Sequence, residues 1–211
     1  MIIKGYIYVY LYIFIVFGVA SLLYKNGNGS LTRKIIHIGV AFYYVFFYKY
    51  FGSSIHIVIV PLTFIILNYI SYKKSILKSM EEDSSPGTVY YAISSFILAV
   101  ITYLYPEFYP YFGIGLFVMA FGDGLAPIVG NMIKSKRIYG DKTLSGSLTV
   151  FSLSIVIVVI FNSLFNLDLN VLKIIIIGLV SLGLELIVKK GLDNLSLPLG
   201  VALVSFGLGV I

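Results

Sequence analysis

Cysteine is absent from this chain of 211 residues. That excludes disulfides, thiolate metal sites and a cysteine nucleophile. Charge is also scarce, with charged residues at 11% of the sequence against about 25% in a soluble domain. Hydrophobic residues reach 59%, above the usual share of about 45–50%. A soluble fold could not hide that much apolar surface, so a bilayer must cover it. No stretch alternates strictly between apolar and polar residues, and the apolar runs are too long for barrel strands, which leaves helices. The first apolar stretch, 7–23, lacks a small-residue cleavage site and is followed by equally apolar segments, so it reads as a retained span. A Walker A phosphate loop is missing too.

A membrane helix needs about 20 apolar residues. Candidate spans cover 5–24, 35–51, 55–72, 88–105, 109–133, 148–165, 171–188 and 197–211. The expected fold is therefore an all-α, polytopic integral membrane protein with about eight transmembrane helices, or seven if the last is not inserted. A single transmembrane domain over 1–211 is expected. Twelve of the fifteen basic residues lie in the connections after spans one, three, five and seven, leaving Lys4, Lys49 and Lys173 for the other side. Short-loop Lys and Arg mark the cytoplasmic face, which puts both termini outside. Topology, rather than nucleic acid, then accounts for the formal charge of +6. Tyrosines near span ends, such as Tyr6, Tyr8, Tyr10 and Tyr103, read as an interfacial belt.

The sharpest polar segment is Phe121-Gly-Asp-Gly-Leu-Ala-Pro127, inside the fifth span. Were the segment helical, Asp123 would lie about 15 Å below the exit marked by Lys134. A carboxylate at that depth is costly and marks a functional site by default. Gly122 and Gly124 weaken the helix beside it, and Pro127 removes a donor. Irregular backbone at depth needs a wet cavity or protein around it. Asp123 is thus a candidate Mg²⁺ ligand, general base or both, against the alternative of a hydrogen-bonded structural Asp. Asp141-Lys-Thr-Leu-Ser-Gly-Ser147 precedes the sixth span, where Lys142, Thr143, Ser145, Gly146 and Ser147 at a helix start suit a phosphate. An ordinary cap beside a topology-setting lysine is the plainer alternative.

Arg33 and His37 stand four apart on one helix face at the same border. Arginine can grip phosphate bidentately, and histidine can move a proton or orient a hydroxyl. His56 falls on the outer side among apolar neighbours and reads as structural. Glu185 lies one turn before Lys189, and Asp193 and Asn194 follow in a turn, with Gly191 a helix stop and Ser196 a cap. Their oxygens are hard ligands that suit Mg²⁺. Residues 81–88 read mainly as a solvated linker, with Pro86, Gly87 and Thr88 able to edge the site.

Taken in order, RKIIHIG (33–39), PGTVYYAIS (86–94), FGDGLAPIVG (121–130), KTLSGS (142–147) and LELIVKKGLDNLSLP (184–198) resemble the CTP-dependent membrane lipid-alcohol kinases. That family includes dolichol kinase, phytol kinase and the CTP-dependent diacylglycerol kinase. The resemblance implies transfer of the γ-phosphate of CTP, with Mg²⁺, to a long-chain isoprenoid alcohol of polyprenol or dolichol type. It implicates Asp123 with metal and phosphates and Lys142 with phosphates, and it matches Glu185, Asp193, Asn194, Arg33 and His37 to the family's other blocks. Gly122, Gly124 and Asn194 complete the expected nucleotide-binding set, and Asp123, Glu185 and Asp193 the metal set. Asp123, His37 and Glu185 are all candidates to take the hydroxyl proton. Pro127 stands where phytol kinases usually carry an acid.

A distant similarity to phosphatidate cytidylyltransferases leaves a CDP-lipid synthase as one alternative. The His-Gly-Gly…Asp-Arg…Asp signature of those enzymes is absent. An ion-coupled transporter is the alternative from another class, but the outer halves of the spans are almost wholly apolar. The expected partners are the bilayer, a membrane lipid alcohol and CTP, with no nucleic acid and the oligomeric state open.

Overall fold

The computed structural model describes residues 1–25, 29–74, 86–140, 142–188 and 191–210; of 25, 29–31 and 33 only the backbone is described. Lys78, Asp141, Lys189, Lys190 and residues 81–85, all read above from sequence, lie outside the described residues, as does the side chain of Arg33. The contacts group the chain into two compact units, Met1–Pro106 and Glu107–Ile211.

The first unit contains α1 (Ile2–Lys25), α2 (Gly29–Ala41), the short α3 (Tyr43–Phe46), α4 (His56–Lys74) and α5 (Gly87–Leu104). A wide π-helical turn, Phe47–Phe51, extends α3 and stops at Gly52, whose φ of 55° suits a residue without Cβ. Helix α1 packs on α2, and α4 on α5. Gly39 lets Val16 approach so closely that a Cβ there would lie 2.8 Å from it. Such small-residue contacts replace the hydrophobic drive that lipid removes. Two of the tyrosines near span ends tie helices together. Tyr6 bonds His56 Nδ1 at 2.8 Å, and Tyr10 bonds Thr63 at 2.9 Å. Where lipid offers no competing partner, polar side chains pair across helices.

The second unit is built round a rod running from Pro106 to Met132. It comprises a 3₁₀ turn, α6 (Tyr109–Phe117), a π-helical segment Val118–Asp123 and α7 (Gly124–Met132). A hairpin follows, β1 (Arg137–Tyr139) paired antiparallel with β2 (Lys142–Thr143). Helices α8 (Leu144–Phe165), α9 (Val171–Ile187) and α10 (Asp193–Val210) complete the unit. Helix α10 packs on α6, and α8 on α7 and α9, so the rod is the core. Gly115 leaves no room for a Cβ against the Pro198 carbonyl. The turn between α8 and α9 is held by Asn162, which both donates to and accepts from the Leu169 backbone at 3.0 Å.

Each of the eight spans read from sequence falls on helix. Among the described residues, six helices are long and apolar enough to cross a bilayer. The other two spans are the interrupted α2–α3 segment and α9, which has 17 residues. The last span, α10, is among the six. The fold is all-α and that of a multi-pass membrane protein. The hairpin was not expected, because two- and three-residue strands leave no periodic signal.

Candidate functional site

Four charged side chains from four elements of the second unit meet at one point. Asp123 closes the π-helical segment, and Glu185 sits near the end of α9. Asp193 opens α10, and Lys142 lies in β2. Carboxylate oxygens of Asp123, Glu185 and Asp193 all lie within 4.8 Å of one another. Glu185 and Asp193 are buried, while Asp123 is half-buried. Lys142 Nζ donates to Glu185 Oε1 at 2.5 Å and lies 3.6 Å from Asp193 Oδ2.

Backbone geometry fixes Asp193. Its Oδ1 accepts from Gly191 N at 2.8 Å and from Asn194 N at 3.0 Å. Gly191, at φ 94°, takes a conformation that other residues rarely adopt, and it places the chain for that capping bond. The cap expected at Ser196 is thus made by Asp193, and Ser196 lies inside α10, bonded to Leu192 O at 3.1 Å. Asp193 and Asn194 begin the helix rather than occupying the turn before it. Around Asp123 the glycines do not break the rod. The backbone stays helical but widens over one π-helical segment, an irregularity that recurs at functional sites.

Charge decides what this cluster can hold. Two unit negative charges at 4.8 Å repel by about 3 kcal/mol at an effective dielectric of about 20. Three carboxylates against one ammonium leave the ionised cluster two charges negative. Glu185 Oε2 is buried and has no hydrogen-bond partner, so one ligand atom remains unused. Burial works against the Lys142 ammonium, but Glu185, Asp193 and Asp123 outweigh it and hold the group above its ordinary value. A set of hard oxygen donors with surplus negative charge fits a divalent cation such as Mg²⁺. Asp123, Glu185 and Asp193 would hold it.

The start of α8 differs from a bare anion-binding terminus. Its first three amides all have partners within the protein: Leu144 N bonds Lys136 O at 2.9 Å, Ser145 N bonds Ser135 Oγ at 2.9 Å, and Gly146 N bonds Thr143 Oγ1 at 3.2 Å. Ser145 Oγ reaches Ile133 O at 2.9 Å. These bonds tie the hairpin to α8 and hold Lys142 over the carboxylates. Gly146 lets α8 approach Ala126 O, where a Cβ would lie at 3.0 Å. Gly122 faces Val150 of α8 at ordinary contact distance, and Gly124 is buried in the rod. Ser147 Oγ is buried without a partner.

Arg33 and His37 belong to the first unit, whereas Asp123, Glu185, Asp193 and Lys142 belong to the second. His37 stacks on Tyr91 with ring centroids 4.9 Å apart. Thr88 meets Asn68, whose amide donates to its carbonyl at 3.0 Å. His56, read as structural, bonds Tyr6. Sequence reasoning placed Glu185 one turn before Lys189 and missed its bond to Lys142. Two lone charges deep beside separate apolar runs were the available signal.

No family model matches the chain, and no solved structure matches it. Among curated proteins it is similar to the phytol kinase of Synechocystis sp., with 32% identity over 191 residues, covering 84% of this chain and 78% of that protein. On that similarity, the chain belongs to the phytol and polyprenol kinase family and is a membrane kinase that phosphorylates a lipid alcohol.

Proposed function

We propose that this kinase transfers the γ-phosphate of CTP to a long-chain isoprenoid alcohol of polyprenol or dolichol type, at the Asp123–Glu185–Asp193–Lys142 cluster. The observation that carries the reading is the gathering of three carboxylates round one lysine, with Glu185 Oε2 left without a partner. Phosphoryl transfer demands alignment and charge neutralisation more than covalent chemistry. A bound Mg²⁺ would supply positive charge against the transferring group.

The chain's own residues divide the rest. Lys142 keeps 24% of its side chain exposed, and its flexible stem lets Nζ move from Glu185 to a phosphate oxygen. Thr143, Ser145 and Gly146 spend their donors and acceptors fastening the hairpin, so they position Lys142 rather than bind phosphate themselves. Ser147 retains a free hydroxyl for a polar ligand. Asp123 is the least buried of the three carboxylates, which makes it the best placed of them to take the hydroxyl proton. The bias of Lys and Arg supports a site on the cytoplasmic side, where CTP is present.

Purified protein in detergent, given CTP labelled in the γ- or α-phosphate and a panel of polyprenol, phytol and diacylglycerol, tests the proposal. Label should pass to the isoprenoid alcohols from the γ-position only. Label from the α-position would identify a cytidylyltransferase, and preference for ATP would overturn the choice of donor.

A further inference from the structure

The first unit holds a cleft that the carboxylate cluster leaves unused. It is partly open to the outside. Phe17, Val40, Pro61 and Phe64 supply apolar walls from α1, α2 and α4. Among them stand Asn68 and Thr88, joined by a hydrogen bond, and four further polar side chains, His37, Tyr43, Tyr91 and Ser95.

Three of these four are more than nine-tenths buried: Tyr43 is 2% exposed, Tyr91 7% and Ser95 3%. The Tyr43 and Ser95 hydroxyls lie within bonding reach of each other, and the Tyr91 hydroxyl is left without a hydrogen-bond partner. Tyr43 and Ser95 are near neighbours, and Tyr91 lies within electrostatic reach of Tyr43, so the three form one polar spot. Nearby Tyr12 shows the contrast, since its hydroxyl donates to Gly39 O at 2.8 Å. A buried hydroxyl that forfeits hydration without a replacement bond is costly, and Tyr91 beside the Tyr43–Ser95 pair points to a small polar group that belongs there. The walls require the rest of that ligand to be apolar. Among the described lining residues none is Lys, Arg, Asp or Glu, so a phosphate headgroup would find no counter-charge.

We propose that this cleft holds the lipid-alcohol acceptor before transfer, as a site separate from the carboxylate cluster. Tyr43, Tyr91 and Ser95 hydrogen-bond its neutral hydroxyl end, His37 braces Tyr91 by stacking, and the hydrocarbon chain lies along Phe17, Val40 and Phe64. The proposal rests on the reading of the chain as a lipid-alcohol kinase, but not on the choice of nucleotide or on the roles given to the carboxylates.

The test is photolabelling of the full-length protein in detergent by a diazirine analogue of a long-chain isoprenoid alcohol, without nucleotide. Label should fall on α2, α4 and α5. The parent alcohol should compete, and the hydrocarbon of the same chain lacking the hydroxyl should not. Tyr91→Phe and Ser95→Ala should each weaken alcohol binding by about tenfold, the loss of one hydrogen bond. Both should raise the apparent KM for the alcohol with that for nucleotide unchanged. A merely structural hydroxyl would lower the unfolding temperature when removed, whereas Tyr91→Phe should keep or raise it, because an unmet polar group is being deleted. Equal competition by the hydrocarbon would show a site for any lipid chain. Labelling confined to residues 107–211, or undiminished binding by Tyr91→Phe, would also overturn the proposal. Labelling of the cleft in a protein that transfers no phosphate from CTP would spare it and sink the donor assignment instead.

Discussion

At Asp123, a change to asparagine keeps the size and hydrogen-bonding capacity of the side chain while removing one negative charge. Turnover in Asp123→Asn should fall by roughly 10²-fold or more, the usual loss when one electrostatic stabiliser is removed. The fold should survive, because the amide can still bond its neighbours. Near-normal activity in folded protein would remove Asp123 from the mechanism and shift the metal to Glu185 and Asp193. His56→Ala serves as a control. It should cost about 1 kcal/mol through the lost Tyr6 bond, without affecting turnover.

Lys142→Met makes a sharper test, since it leaves three carboxylates together with no cation. Stripping one partner from a buried pair costs about 3–5 kcal/mol. The partial exposure of Lys142 should reduce that to roughly 2 kcal/mol. Added Mg²⁺ should restore the unfolding temperature of Lys142→Met more than it raises that of the parent, because the divalent ion then meets no competing ammonium. An equal Mg²⁺ response in both proteins would count against a cation site at this cluster. The apparent KM for CTP should rise in the same variant.

Helices α7 and α8 meet so closely that the contact sets where Lys142 stands. A Cβ on Gly130 would lie 2.6 Å from Thr143 Oγ1, the atom that caps α8 through Gly146 N. Gly130→Ala should therefore cost about 1–3 kcal/mol by overpacking. Thr143→Ala should cost about 1 kcal/mol by loss of the cap. In the double variant the obstructing oxygen is gone, so the two penalties should sum to less than their separate values, as thermal unfolding would show. Strict additivity would mean that the glycine and the cap do not share this contact. Gly183→Ala, with nothing within 4 Å of its Cβ position, should be close to neutral.

For the whole molecule, the alternation of basic connections makes a topology that can be tested directly. The chain contains no cysteine, so single substitutions report cleanly. In intact cells an impermeant thiol reagent should label a cysteine at Asp168 and spare one at Lys136. Equal labelling of both would overturn the orientation proposed for the site.

Hydropathy and charge are local properties, and the sequence alone determined what depends on them: the bilayer as solvent, the helical fold, the positions of the eight spans and the segments rich in polar side chains. Which of those side chains meet is a matter of tertiary structure, because rotation about each helix axis is set by packing. Lys142 and Glu185 are 43 residues apart, and no spacing rule links them. The π-helical segment before Gly124 changes the facing of Asp123 in a way that 3.6-residue periodicity does not express. Filling of the first amides of α8 depended on a hairpin too short to read from sequence, and the helix cap passed from Ser196 to Asp193 because Gly191 allows the turn that brings the carboxylate to its amide. Tyr43, Tyr91 and Ser95 look like ordinary members of apolar helices until α3 and α5 are packed. Only then do they share a cleft, with the Tyr91 hydroxyl left unanswered.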